Sequence, residues 1–82
     1  MSQPDTVGTA LVGIVQGLVD HPEQVEVKPQ RRGECTVFVL QVAPSDVGQV
    51  IGRQGRTARA LRALLDARGL EDQRSYDLEI ER

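Results

Sequence analysis

The sequence predicts an α+β fold in the order α-β-β-α-α-β, with residues 1–82 forming one domain. Three observations carry that prediction. Apolar residues recur at helical spacing from Val7 to Val19 and again from Ala58 to Leu65, they alternate at strand spacing in residues 35–42 and 75–82, and Gly52 and Gly55 break the second helical stretch in two. A chain of 82 residues has room for one modest core.

The first helix is expected over residues 4–20, where Val7, Leu11, Ile14, Val15, Leu18 and Val19 share a face. Pro4 suits the first turn and Asp5 the positive end of the helix dipole. Gly8, Gly13 and Gly17 each weaken a helix by roughly 1 kcal/mol relative to Ala, so this one depends on packing. His21-Pro22 ends it, because the residue before a proline is pushed away from helical angles. A strand over 25–29 follows from Val25 and Val27 alternating with Glu26 and Lys28, and Pro29 either ends it or confines it to a sheet edge. Gln30-Arg31-Arg32-Gly33 then reads as a turn.

Residues 35–42 form the strongest strand. Thr36, Phe38, Leu40 and Val42 point one way, and Cys35, Val37, Val39 and Gln41 the other, so both faces are largely apolar and the strand belongs either at the centre of a sheet or under helices on one side with a partner on the other. Pro44-Ser45-Asp46 opens a helix over 44–51 whose apolar side is Val47, Val50 and Ile51. The glycine turn occupies 52–55. A second long helix runs over 56–68 and fades at Arg68-Gly69, glycine being the usual terminator, with 71–74 as a polar connection. Tyr76, Leu78 and Ile80 alternate with Ser75, Asp77, Glu79 and Glu81 in a last strand over 75–82, buried on one face and wet on the other. The helical pair between the second and third strands makes those two run parallel.

The chemistry concentrates at the glycine turn. Gly52 and Gly55 let the backbone take positive φ and approach a phosphate closely. A helix starting after Gly55 presents unpaired N–H groups and partial positive charge, which attract anions. Arg56, Arg59 and Arg62 lie on the arc opposite Ala58, Leu61, Leu64 and Leu65, and half of the 10 basic residues fall between positions 53 and 68, against the single acid Asp66. A solvated face usually mixes signs. Taken alone, two glycines three apart more often make only a tight helical corner.

Val50-Ile51-Gly52-Arg53-Gln54-Gly55-Arg56 resembles the Ile-Gly-x-x-Gly signature of KH domains, whose Gly-x-x-Gly loop clamps the backbone of about four nucleotides of single-stranded nucleic acid. Leu18-Val19-Asp20-His21-Pro22-Glu23 and Val42-Ala43-Pro44-Ser45-Asp46-Val47-Gly48 extend the likeness to the bacterial KhpA family over nearly the whole chain. One departure is Ala58, where many KH domains carry a larger aliphatic residue. The resemblance implies a type II KH domain, a three-stranded sheet packed by three helices on one face, and a single-stranded RNA-binding protein of the post-transcriptional regulator or RNA chaperone type. The RNA-binding residues it implies are Ile51, Gly52, Arg53, Gln54, Gly55, Arg56 and Arg59. It adds Arg31 and Arg32, from a loop that borders the ligand groove in such domains, and a homodimer or a heterodimer with a second KH-containing protein.

Composition narrows the alternatives. The net charge of −2 argues against a protein that coats nucleic acid through many phosphate contacts, so affinity must come from a local patch. Phe38 and Tyr76 are the only aromatics, too few for the base-stacking platforms of OB or RRM domains. The lone Cys35 permits no internal disulfide and fits a reducing, cytoplasmic setting. No stretch suits a membrane span or a secretory leader. An enzyme is not expected: nucleotide-binding glycine motifs are absent, the single His21 has no histidine or cysteine-pair partner for a metal site, and no cofactor is implied. The competing function is an assembly module whose glycine turn forms a subunit interface, with little RNA binding of its own.

Overall fold

β2 (Cys35–Gln41) is the middle strand of three, flanked by β1 (Glu26–Arg32) in antiparallel register and by β3 (Ser75–Ile80) in parallel register. The computed structural model describes residues 3–82. Pairing of Phe38 with Pro29 on one side and Leu78 on the other sets which residues share a face. Phe38, Leu40, Tyr76 and Leu78 turn toward the helices, and with Val7, Leu11 and Val15 of α1 (Gln3–Gln16), Val50 of α2 (Val47–Ile51) and Leu61 and Leu65 of α3 (Arg56–Asp72) they build the core. The rings of Phe38 and Tyr76 meet edge to face with centroids 5.5 Å apart. Three helices thus cover one face of a three-stranded mixed sheet, in the expected element order.

Among the described residues no helix lies over the opposite face. Val37 and Val39 are nevertheless only 6% and 8% exposed, because long side chains of the flanking strands fold over them. Arg32 reaches from β1 to Glu79 of β3 across β2, with N···O distances of 3.2 and 3.4 Å, and also donates to Gln30. The apolar second face of β2 is therefore covered by an ion pair's aliphatic stems.

Several boundaries differ from expectation. α1 stops at Gln16 rather than at residue 20, where Gly17 and Leu18 tighten the last turn through bonds to the Ile14 and Val15 carbonyls. His21 accordingly does not end α1 but stands at the start of the short helical turn Pro22–Gln24. Its N–H donates to Asp46 Oδ2 at 3.0 Å, the Asp20 N–H donates to Oδ1 at 3.3 Å, and this buried carboxylate ties the loop after α1 to the start of α2. β1 runs on through Pro29 to Arg32, which an edge strand allows because a missing N–H can face away from the partner. Arg31 and Arg32 therefore lie in a strand, not in a turn.

α3 continues four residues beyond position 68, and Gly69 does not end it. A Cβ on Gly69 would stand 2.6 Å from the Arg74 carbonyl oxygen, so glycine is there for a close approach. The left-handed residue is Gln73 (φ 56°), whose N–H bonds Leu70 while the Arg74 N–H bonds Gly69 at 2.8 Å, the Schellman arrangement. Asp72 accepts from the Tyr76 hydroxyl at 2.7 Å and from Arg68 Nε at 3.1 Å. Those bonds, the hydroxyl first, hold the Asp72 carboxyl below its ordinary range, while burial and then the Asp72 bond push the Tyr76 phenol up. Leu64, expected in the core, is 56% exposed.

Candidate functional site

Helix α2 is only five residues long and closes with the Gly52 N–H on the Gly48 carbonyl at 2.9 Å. The backbone then enters a conformation open almost solely to glycine, φ 80° and ψ 168° at Gly52. Any Cβ there would stand 2.8 Å from the Thr57 N and Cβ and closer still to its hydroxyl. Gln54 (φ 55°) and Gly55 (φ 72°) follow in the left-handed region, and the Gly55 N–H bonds the Gly52 carbonyl at 3.1 Å. Three of the four turn residues thus carry positive φ. The chain doubles back at once into α3, with Arg53 and Gln54 exposed at the tip.

Among the described residues no side chain caps the N-terminus of α3, and although the Arg56 N–H bonds the Arg53 carbonyl, the positive end of the helix dipole is directed at the turn. Arg53, Arg56 and Arg59 are exposed beside it and none forms an ion pair among the described residues, Arg56 making one 3.4 Å bond to Gln54. The electrostatic field at this corner is therefore positive although the chain carries a net −2.

A groove of about 450 Å³ adjoins the turn. Ile51, Gly55, Ala58, Arg59 and Arg62 form one wall, and Asp77, Leu78, Glu79 and Ile80 of β3 form the other. Ala58 and Leu78 are buried, so an apolar strip lies between charged rims. β3 is an open sheet edge along this groove. The Leu78 carbonyl accepts from Arg62 at 3.3 Å, and the Leu78 N–H donates to Asp77 Oδ1 at 2.8 Å.

Of the expected binding residues, Gly52, Arg53, Gln54 and Arg56 sit on the turn, while Ile51, Gly55, Arg59 and Arg32 line the groove. Arg32 arrives there already paired with Glu79. Arg31 does not join them. It lines a separate depression with Gly69, Leu70 and Arg74 at the far end of the sheet, and its Nε donates to the Gly33 carbonyl at 2.9 Å. Asp77 and Glu79 carry no signal in the sequence because alternation assigns them only to a wet strand face, and Arg62, expected with Arg59 to extend the positive track, instead reaches the Leu78 carbonyl. His21 and Cys35 lie at opposite ends of β2, so they do not form a nucleophile–base pair. Among the described residues no helix is long and apolar enough to cross a membrane.

A family model described as KhpA/KhpB, KH domain, matches residues 9–80. The RNA-binding protein KhpA of Listeria monocytogenes is 41% identical over 70 residues, covering 85% of this chain and 92% of that protein. The protein of the same name from Caldanaerobacter subterraneus is 39% identical over 74 residues, 90% of this chain and 99% of the relative. That of Leifsonia xyli is 53% identical over 60 residues, 71% and 76% respectively.

Proposed function

The chain belongs to the KhpA/KhpB KH-domain family, and on that premise we propose that it binds single-stranded RNA, gripping the backbone at the Gly52-Arg53-Gln54-Gly55 turn. The observation that carries this reading is the turn itself, with three positive-φ residues that lead into a helix N-terminus flanked by arginines that form no ion pair among the described residues. Phosphates meet the backbone N–H groups, Arg53 and Arg56, and bases lie in the adjoining groove over Ile51, Ala58 and Leu78, with Arg59 extending the positive track. Arg32 reaches RNA only by leaving Glu79, and Arg31 serves a different end of the molecule. The protein acts in the cytoplasm as a regulator or chaperone of RNA and performs no catalysis.

A domain touching few phosphates binds weakly, and a second copy or a second KH-containing protein would raise avidity. The α1–α3 seam supports such a partnership. Ile14 and Leu64, 45% and 56% exposed, line an apolar cleft there, away from the turn. Association through this seam and RNA binding through the turn are compatible.

Fluorescence anisotropy with short single-stranded RNA, at low and moderate salt, tests the reading. Wild type is expected to bind in a salt-sensitive manner and the folded double variant Arg53→Asp, Gln54→Asp to lose binding. Equal binding by both proteins removes the turn from the mechanism, and no binding by wild type transfers the function to assembly.

A further inference from the structure

The groove contains acids that phosphate binding does not explain. A carboxylate repels a phosphate, yet Asp77 and Glu79 both line the β3 wall. Glu79 is engaged by Arg32. Asp77 is held differently: Oδ1 accepts from the Leu78 N–H at 2.8 Å, while Oδ2 accepts no hydrogen bond among the described residues. At the other backbone group of the same residue, Arg62 spends one terminal nitrogen on the Leu78 carbonyl, leaving its other N–H groups to donate elsewhere. The open edge of the sheet thus carries a carboxylate acceptor and a guanidinium donor, fixed to the N–H and the C=O of one residue.

We infer that Asp77 and Arg62 select the base in the groove, and that the base they select is guanine. This rests on the RNA-binding reading above. Among the four bases only guanine presents two adjacent donors, N1–H and N2–H, beside the acceptor O6 on its Watson–Crick edge. Oδ2 of Asp77 takes one donor, Oδ1 takes the other on the lone pair left beside its bond to the Leu78 N–H, and a free N–H of Arg62 meets O6. Adenine and cytosine each offer one exocyclic donor to the carboxylate and uracil one ring N–H, so each leaves part of the pair unmatched. Such an unmatched buried polar group is what discriminates between bases, by roughly tenfold or more for a good bidentate contact. The strand edge is not merely protected from pairing with another chain, for which one charged side chain suffices. Both backbone polar groups of a single residue are converted into side-chain functions of the opposite polarity.

The test is anisotropy with short oligouridines that carry one central guanosine, inosine, adenosine or cytidine, using the full chain. The guanosine oligomer is expected to bind about tenfold tighter than oligouridine. Inosine, which lacks the 2-amino group, should fall between, and 7-deazaguanosine should match guanosine because the Hoogsteen edge is not used. Asp77→Asn keeps an oxygen for the Leu78 N–H but replaces the second acceptor by a donor, so the fold survives and the ratio of guanosine to uridine affinity should fall towards one. Equal affinity for all oligomers overturns the inference and leaves RNA binding intact. A guanine preference unchanged in Asp77→Asn, or a uniform loss for every oligomer, also overturns it. Absence of binding to all of them overturns both readings.

Discussion

The two ends of α3 solve the same geometric problem with opposite consequences. At each end the backbone reverses through left-handed residues: Gln54 and Gly55 at the start, Gln73 at the finish. At each end a glycine admits a close neighbour, Thr57 against Gly52 and the Arg74 carbonyl against Gly69. The charges differ. At the finish Arg68 is bound to Asp72, which also holds the Tyr76 hydroxyl. At the start Arg53, Arg56 and Arg59 have no acidic partner among the described residues. An arginine supplied with a carboxylate closes a structure; one left without an acid keeps its donors for a ligand. The same contrast separates Arg32, paired with Glu79, from Arg59 across one groove.

Glycine substitutions break the comparison most sharply. Gly52→Ala places a side chain in a glycine-only conformation against backbone and should cost about 3 kcal/mol, read as a fall in the urea midpoint, with RNA binding lost. Gly69→Ala has helical φ/ψ and regains about 1 kcal/mol of helix propensity, but it forces the Arg74 carbonyl aside at about 1–3 kcal/mol. A net loss of about 1 kcal/mol with RNA affinity unchanged is expected. Equal effects of the two changes on RNA binding would erase the distinction between the ends.

Tyr76→Phe sharpens the structural end. It removes the hydroxyl from Asp72 and should destabilise by about 1 kcal/mol at neutral pH without changing RNA affinity. The pH dependence has a defined sign. The Asp72 carboxyl is lowered in the folded state, so its contribution is complete above an unfolded value of about 4 and is lost as pH falls through the folded value. The Tyr76 phenol is raised, so its contribution is complete below about pH 10 and is lost as pH rises beyond it. Urea unfolding across pH should therefore show Tyr76→Phe flatter than wild type at both extremes.

The smallest effect belongs to a single free arginine. Arg59→Gln should weaken RNA binding several-fold, lower the salt slope by about 0.7, and leave the urea midpoint within about 0.5 kcal/mol of wild type.

The order of elements, the central place of β2, the parallel run of β2 and β3, and the position of the glycine turn were all legible in the sequence. Each follows from local periodicity, from the length of a connection or from the chemistry of one residue type. The end of α3 was not, because Gly69 reads as a terminator until the Arg74 carbonyl is seen against it. Gln73 carries no signal for a left-handed position. Leu64 fits the apolar arc, yet α1 and α3 leave a cleft that exposes it. The second wall of the groove was equally hidden, since Asp77 and Leu78 lie some twenty residues beyond the turn.

What the sequence alone determined is everything a residue does to its own neighbours: periodicity, positive φ at Gly52 and Gly55, and a run of arginines facing away from Leu61 and Leu65. What tertiary structure decided is which charges remain available. Arg32 and Arg62 look the same as Arg53, Arg56 and Arg59 in the chain. Only the fold brings Glu79 to the first and the Leu78 carbonyl to the second, whereas Arg68 meets Asp72 four residues on in the same helix. The physical reason is that a long, flexible cation finds its partner within a few ångströms in space, a distance set by sheet register and helix docking rather than by position along the chain.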